Sequence, residues 1–362
     1  MKLSSILTEA WRNLATGASR GLWFAFALAL AGGGLATAEA TVTQTLITEA
    51  ENYRASGAAI TTLVAPGRID GRTCDGFSGI PGVTAAGAMR TTTNLKLSAL
   101  PSSPVPAKEV TAGFPSLLGA SPGTTNPGIF LSREVAEQFG LTPERDSLST
   151  PLNTDQGDAA IAGVFEYPAD GRRPGLGYSV LVPAAAQQPY DECWVATWPQ
   201  SREIRSLIRL SLNPDSSGTT QEQPIVAQLN SRNGATFDGA LQFAERITRF
   251  SAPAGLLIGA ALGGAFTRLR RLELAAARHI GVSRAALTTQ AAAESLVIAV
   301  AAGTLCLPVL CWVAAATGWI DPQLLAIGLK PVLTTTAAFV VAAGVGTSLI
   351  SEKQLFNYFK NR

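Results

Sequence analysis

The stretch Arg268–Arg284 reads RLRRLELAAARHIGVSR, and its reading decides the fold of the whole chain. It carries five arginines against one glutamate and lies between two long apolar segments. Short basic segments between membrane spans stay on the cytoplasmic side, so the charge assigns it a side. The order of its residues says more. Arg270 and Arg271 open the stretch, Glu273 follows, Arg278 comes five residues on and Gly281 three further, before Ser283 and Arg284. This spacing predicts a helix from about Arg268 to Ile280, parallel to the membrane and broken at Gly281, where glycine suits a helix-terminating turn.

Working outward, the apolar segments set the class. The chain has 362 residues, 47% of them hydrophobic and only 15% charged. Soluble proteins carry about 25% charged residues. Four segments have the length and polarity of membrane spans: 21–40, 250–266, 287–316 and 331–350. In the second, Gly255, Gly259 and Gly263 recur every four residues and permit close helix packing in lipid. Pro308 is expected to kink the third. Residues 1–20 place Ile6, Leu7, Ala10, Trp11 and Leu14 on one helical face, as an interfacial helix would. Ala36-Thr37-Ala38 is compatible with a signal-peptide cleavage site, but the apolar run is longer than a signal core, which favours a retained anchor.

Between the first two spans lies sequence of another kind. Residues 58–231 are rich in Pro, Gly, Ser and Thr and long enough for a core of their own. Strands are expected at Ala58–Val64, Val83–Thr92, Val110–Phe114, Ala159–Val164, Tyr178–Val182 and Ser206–Leu212. Ser132–Phe139 reads as a helix capped by Gly140. Amphipathic helices at 41–57 and 232–249 bracket this α+β domain as paired stalks. A loop at 317–330 and a tail at 351–362 complete the chain.

Orientation follows from charge. Lys2, Arg12 and Arg20 face Glu9 alone in the first segment, and Lys353, Lys360 and Arg362 face Glu352 alone in the last. With 267–286 these form one basic side, so both termini are expected in the cytoplasm and the large domain outside. Cys74 and Cys193 lie in that outer domain, where a disulfide can persist; Cys306 and Cys311 read as packing residues.

The sequence offers little catalytic chemistry. The net charge of +2 gives no reason to expect nucleic acid, and no cofactor is expected. His279 is the single histidine, so a metal site or catalytic triad is not supported. The Gly-rich loop Gly119-Ala-Ser-Pro-Gly123 lacks the lysine of a phosphate-binding loop. Asp191 and Glu192 resemble a carboxylate pair, but adjacent residues of an extended chain point to opposite faces, and the two read as solvated. Glu294, near the cytoplasmic end of the third span, is an intramembrane acid expected to pair with Arg284 or Arg278.

This layout resembles the FtsX-like permeases, including the MacB-like permeases of ABC transport systems. The resemblance rests on Arg270, Arg271, Glu273, Arg278, Gly281 and Arg284, on Glu294, on LTEAWRNLATGASRGLWFAFALAL at the start, and on Gly128–Gly140 and Ala162–Phe165. His279 departs from the pattern, standing where an apolar residue is usual. The resemblance implies an α-helical membrane protein with four transmembrane helices and a large α+β extracytoplasmic domain between the first two. It further implies a non-catalytic permease subunit that dimerises, contacts lipid and docks a separate cytoplasmic ATPase on residues 267–286 of a bacterial plasma-membrane complex. The client is not marked. The other reading is a membrane-anchored receptor or scaffold that works without an ATPase.

Overall fold

The computed structural model describes residues 3–98, 102–120, 128–141, 151–155, 157–213, 223–316 and 322–351. The tail with Lys353, Lys360 and Arg362, Lys2, and most of the loop after Gly119 lie outside them. The chain divides into a helical unit, 1–48 with 239–362, and an α+β unit, 49–238.

In chain order the first elements are α1 (Leu3–Ala15), α2 (Gly21–Ala55), β1 (Ile60–Asp70), α3 (Gly71–Gly76), β2 (Val83–Thr91) and β3 (Ala107–Val110). Then come α4 (Phe114–Leu117), β4 (Ile129–Ser132), α5 (Arg133–Gln138), β5 (Leu152–Thr154), β6 (Gly157–Ala159) and β7 (Ile161–Phe165). The α+β unit closes with β8 (Val180–Pro183), β9 (Pro189–Thr197), α6 (Ile204–Leu207) and β10 (Ile225–Gln228). The helical unit resumes with α7 (Gly239–Glu245), α8 (Ser251–Leu269), α9 (Arg271–His279), α10 (Arg284–Ala316) and α11 (Pro322–Leu349).

The α+β unit is built on an eight-stranded mixed sheet in the order β10-β1-β9-β2-β3-β8-β4-β7. Its central strand, β9, alternates its side chains between two cores. Cys193 and Val195 face a core with Leu63, Ile69 and Ile208, while Trp194 faces one with Phe114, Met89 and Leu181. Cys74 on α3 is bonded to Cys193, with the Cα atoms 5.8 Å apart, so α3 is tied to the middle of the sheet. Asp70 caps α3 by accepting from the Arg72 and Thr73 amides at 2.9 and 3.5 Å.

Several sequence expectations change here. The strand β9 was not anticipated, because Asp191 and Glu192 sit inside it. Neither acid is simply solvated. Asp191 accepts from the Gly67 and Thr91 amides at 2.9 and 3.0 Å, closing an irregularity in the β1–β9 ladder. Glu192 pairs with Arg173 and accepts from Trp194 Nε1 at 2.7 Å. Ser206–Ser211 is helical rather than a strand, since Ile204, Ile208 and Ser211 bury at helical spacing, and only Leu212 is extended, bridging to Ile69. Val110 ends β3, and Phe114 opens α4 with a proline in its first turn. Gly140 does end its helix as expected: φ is +68°, and the Leu141 amide reaches back to the Ala136 carbonyl at 2.9 Å.

Among the described residues four helical segments, 21–55, 247–269, 284–313 and 325–349, are long and apolar enough to cross a membrane, and the chain is a membrane protein. α2 is continuous over 35 residues, or about 52 Å, against a hydrocarbon core of about 30 Å. The returning side differs from expectation. Over 232–249 only α7 and a 3₁₀ turn at Ile247–Phe250 are helical, and no residue of α7 is buried. Arg246 interrupts the helix with ψ of 137°. The fourth long helix begins at Pro322, so Pro331 lies inside it rather than at its start.

Gly255, Gly259 and Gly263 put the α8 backbone directly on α11. A Cβ at Gly259 would stand 2.1 Å from the Thr335 carbonyl oxygen, and one at Gly263 2.5 Å from that of Phe339. At Gly255 it would meet the Thr335 hydroxyl at 2.5 Å. A facing glycine, Gly346, lets Thr267 approach equally closely. Phe24, Phe266 and Phe339 then close the interior, with ring centroids 5.3–5.9 Å apart.

Two predictions follow from this packing. Gly259→Leu is expected to reduce the melting temperature of the detergent-solubilised protein sharply, since a Cβ there overlaps backbone, whereas Gly264→Ala, with open space around it, leaves it within experimental error. Replacing Cys74 and Cys193 together by alanine should lower the stability of the α+β unit by roughly 2–5 kcal/mol in urea unfolding, as expected for a bridge closing a long loop.

Candidate docking and coupling site

α8 stops at Leu269 because Arg270 leaves helical geometry, with φ −103° and ψ 7°. The basic stretch is therefore not one helix from Arg268 to Ile280. It is the end of α8, a bend at Arg270, and the separate nine-residue helix α9. Glu273 lies in the first turn of α9 and Arg278 and His279 in the last, as the helix dipole favours. At its end Gly281 takes φ +96°. Its amide reaches Arg278 O at 3.0 Å and the Val282 amide reaches Ala277 O at 3.1 Å, which makes a Schellman turn. Ser283 then caps α10 by accepting from the Ala286 amide at 3.3 Å.

One face of α9 is anchored. Leu274 and Ala275 are buried with Leu287 and Ile350, and Ala277 and Val282 pack beside them. Arg278 Nη1 donates to the Ile350 carbonyl at 2.7 Å. The opposite face runs through Glu273, Ala276 and Ile280 at its end, all exposed, with Ile280 at 81%. His279 and Arg284 are exposed next to it, and Arg271 is half-buried.

Arg270 does not belong to that outward face. Its residue exposure is 7%, and its guanidinium enters the helix bundle. There it pairs with Glu294, which is 0% exposed, and reaches Glu273 Oε1 at 2.9 Å. Arg270 thus replaces Arg284 and Arg278 as the partner of this buried acid. The bend brings the arginine to the depth of Glu294, while Arg278 is turned to Ile350. Glu294 is otherwise saturated: Asn13 Nδ2 donates to Oε1 at 2.8 Å and Gln290 Nε2 at 3.1 Å. Asn13 brings α1 into the network, a role with no signal in its amphipathic pattern. Beside it Ile6 and Ala10 are buried, and Leu7 and Trp11 are exposed.

A second buried carboxylate lies at the opposite end of α8. Glu39 of α2 is 2% exposed and accepts from Arg246 Nε at 3.0 Å and Nη2 at 2.6 Å. Ser251 Oγ, at the first residue of α8, donates to its other oxygen at 3.3 Å. In the sequence Glu39 stands at the edge of the apolar run and Arg246 in a presumed stalk, so neither marks the other.

In the α+β unit a cleft of about 970 Å³ mixes Arg54, Arg172 and Arg232 with Glu51, Glu166 and Asp170. Burial pushes Tyr167 up to about 12, and its hydroxyl donates to Arg173 O at 2.5 Å. Burial likewise raises Asp75 above the usual carboxylate range, against hydrogen bonds from Thr111 and the Gly113 amide. Among the described residues no group of His, Cys, Asp and Glu could hold a metal ion.

No family model and no curated protein matches the chain. Solved structures do. The periplasmic region of MacB from Actinobacillus actinomycetemcomitans is 9% identical, with a TM-score of 0.33, over 45% of this chain and 87% of that one. The extracellular domain of the noncanonic ABC-type transporter YknZ from Gram-positive bacteria is 14% identical, with a TM-score of 0.32, over 46% and 99%. A domain of a protein described as a permease, from Porphyromonas gingivalis, is 15% identical, with a TM-score of 0.31, over 43% and 81%.

The turn at Gly281 yields a local prediction. Gly281→Ala should cost about 1–2 kcal/mol, because a Cβ disfavours this left-handed backbone, and Gly281→Asn should cost less. Faster amide hydrogen exchange at Ile280–Val282 in the alanine variant, partly restored in the asparagine one, is the expected result.

Proposed function

We propose that this chain is the membrane subunit of an ABC system, and that a separate cytoplasmic ATPase docks on α9. The observation that carries this reading is the outward face of α9. It presents Glu273, Ala276 and Ile280 on a short helix whose other face is fastened to the bundle at Leu274, Ala275 and Arg278. Such a face accepts a partner without collapsing onto its own protein, and an exposed isoleucine beside charged residues suits a small, specific interface. The resemblance of Arg271, Glu273, Arg278, Gly281 and Arg284 to the FtsX-like pattern supports the same assignment.

On this reading the basic segments and both termini are cytoplasmic, and the α+β unit lies outside a bacterial plasma membrane, where its disulfide is stable. The chain works with a second permease copy, surrounded by lipid. It performs no chemistry of its own and passes ATP-driven displacement of the partner to the outer unit, on which an envelope client is exported, extracted or activated.

Purification from its native membrane in mild detergent should recover an ATPase with the wild-type chain. Ile280→Glu should weaken that association by about tenfold or more, as loss of an interface anchor does. Recovery of the chain without any ATPase activity would sink the proposal and favour a receptor or scaffold.

A further inference from the structure

The two helix breaks in the membrane unit share one construction. Just before the 3₁₀ turn that leads into α8, and again directly after its last residue, an arginine leaves helical geometry and turns its guanidinium onto a buried glutamate of another helix. Arg246, with ψ 137°, meets Glu39 on α2, and Arg270, with φ −103°, meets Glu294 on α10. α8 runs 19 residues between them, about 28 Å of helix, close to the thickness of a hydrocarbon core. Along that length it packs backbone to backbone on α11, because the Gly255–Gly259–Gly263 face meets α11 with no room for a methyl group.

The bonding at the two ends differs from that in between. Along α8 the α11 contact is a rigid steric lock. At the ends the connections are ionic, and ion pairs can rotate about a shared carboxylate without loss of contact. The inner joint also gathers three elements onto one side chain: Glu294 takes Arg270 from the α8–α9 bend, Asn13 from α1 and Gln290 from its own helix. Arg270 at the same time holds Glu273, which lies on the outward face of α9. A displacement of α9 therefore reaches Glu294 through one guanidinium.

We propose that Arg270 and Arg246 are the positioning residues of a strut: α8, locked to α11, pivots on Glu294 at its inner end and on Glu39 at its outer end, carrying displacement of α9 to the segment that enters the bundle from the α+β unit. This rests on the docking role of α9 proposed above. The strut has no contact with nucleotide or client, and its residues act by keeping the two ends of α8 in register.

The test uses the complete complex in lipid nanodiscs, in a Cys306→Ser, Cys311→Ser background with a spin label at Glu245→Cys, an exposed position on α7. ATP-dependent change at the label and ATP hydrolysis are measured together. Glu294→Gln and Glu39→Gln keep the shape but remove the charge and turn one accepting oxygen into an NH2 donor, and Arg270→Lys keeps the charge but loses the planar fork that spans Glu273 and Glu294. Each is expected to keep the ATPase bound, with the ATP-dependent response of the label reduced roughly two- to thirtyfold, the range seen for coupling residues. The double exchange Glu39→Arg with Arg246→Glu should restore part of the response lost in Glu39→Gln, which a purely structural defect would not do. Wild-type response in both Glu294→Gln and Glu39→Gln, with the ATPase bound, overturns the strut and leaves the docking role standing. Absence of any ATPase from the wild-type complex overturns both. If a glutamine variant fails to assemble, Arg270→Lys decides: an unchanged label response in that variant overturns the inner joint.

Discussion

The membrane unit depends on the cost of placing charge inside a low-dielectric bundle. An isolated carboxylate there is so unfavourable that it must be paired or neutralised. Glu39 and Glu294 are both buried, and each is met by an arginine that gives up helical geometry to reach it. Removal of one partner from such a pair generally costs about 3–5 kcal/mol, whereas the intact pair adds little net stability. The pairs therefore specify which helices meet and where α8 begins and ends. Their contribution lies more in geometry than in total stability.

Between those ends no charge is needed, and packing takes over. In lipid there is little hydrophobic drive between helices, so association relies on close van der Waals contact. The glycine face of α8 supplies it by bringing backbone against backbone at Thr335 and Phe339. Phe24, Phe266 and Phe339 fill the space that remains. The α+β unit solves a different problem. It has water outside and apolar clusters on both faces of a sheet, and the bond from Cys74 to Cys193 ties a surface helix to the central strand. One chain thus uses sterics and ion pairs where lipid is the solvent, and burial with a covalent link where water is.

Much of this was legible in the residues. Apolar length marked the four helices that are long and apolar enough to cross a membrane, and the i, i+4 glycines marked the packed face of α8. Gly140 and Gly281 announced their turns because positive φ is a local property of the backbone. The failures were of two kinds. Strand β9 was hidden because its acids are satisfied from elsewhere in the chain, Asp191 by the amides of Gly67 and Thr91 and Glu192 by Arg173, pairings that no local pattern reveals. The stretch Ile204–Ser211 was read with the wrong period, since short apolar runs fit a strand and a helix equally well.

The candidate site divides in the same way. By itself the sequence determined that Arg268–Arg284 is a basic helix-and-turn segment between spans, because charge, helical spacing and a terminating glycine act within a few residues of one another. Only the tertiary structure decided which arginine faces inward. Arg270, Arg271 and Arg278 are chemically alike, and their roles separate by depth. Arg270 is buried on Glu294, 24 residues away, Arg278 holds the Ile350 carbonyl, and Glu273, Ala276 and Ile280 are left outward. Pairings of this kind depend on which helices the bundle brings together, and so they are set by packing across the fold and not by spacing along the chain.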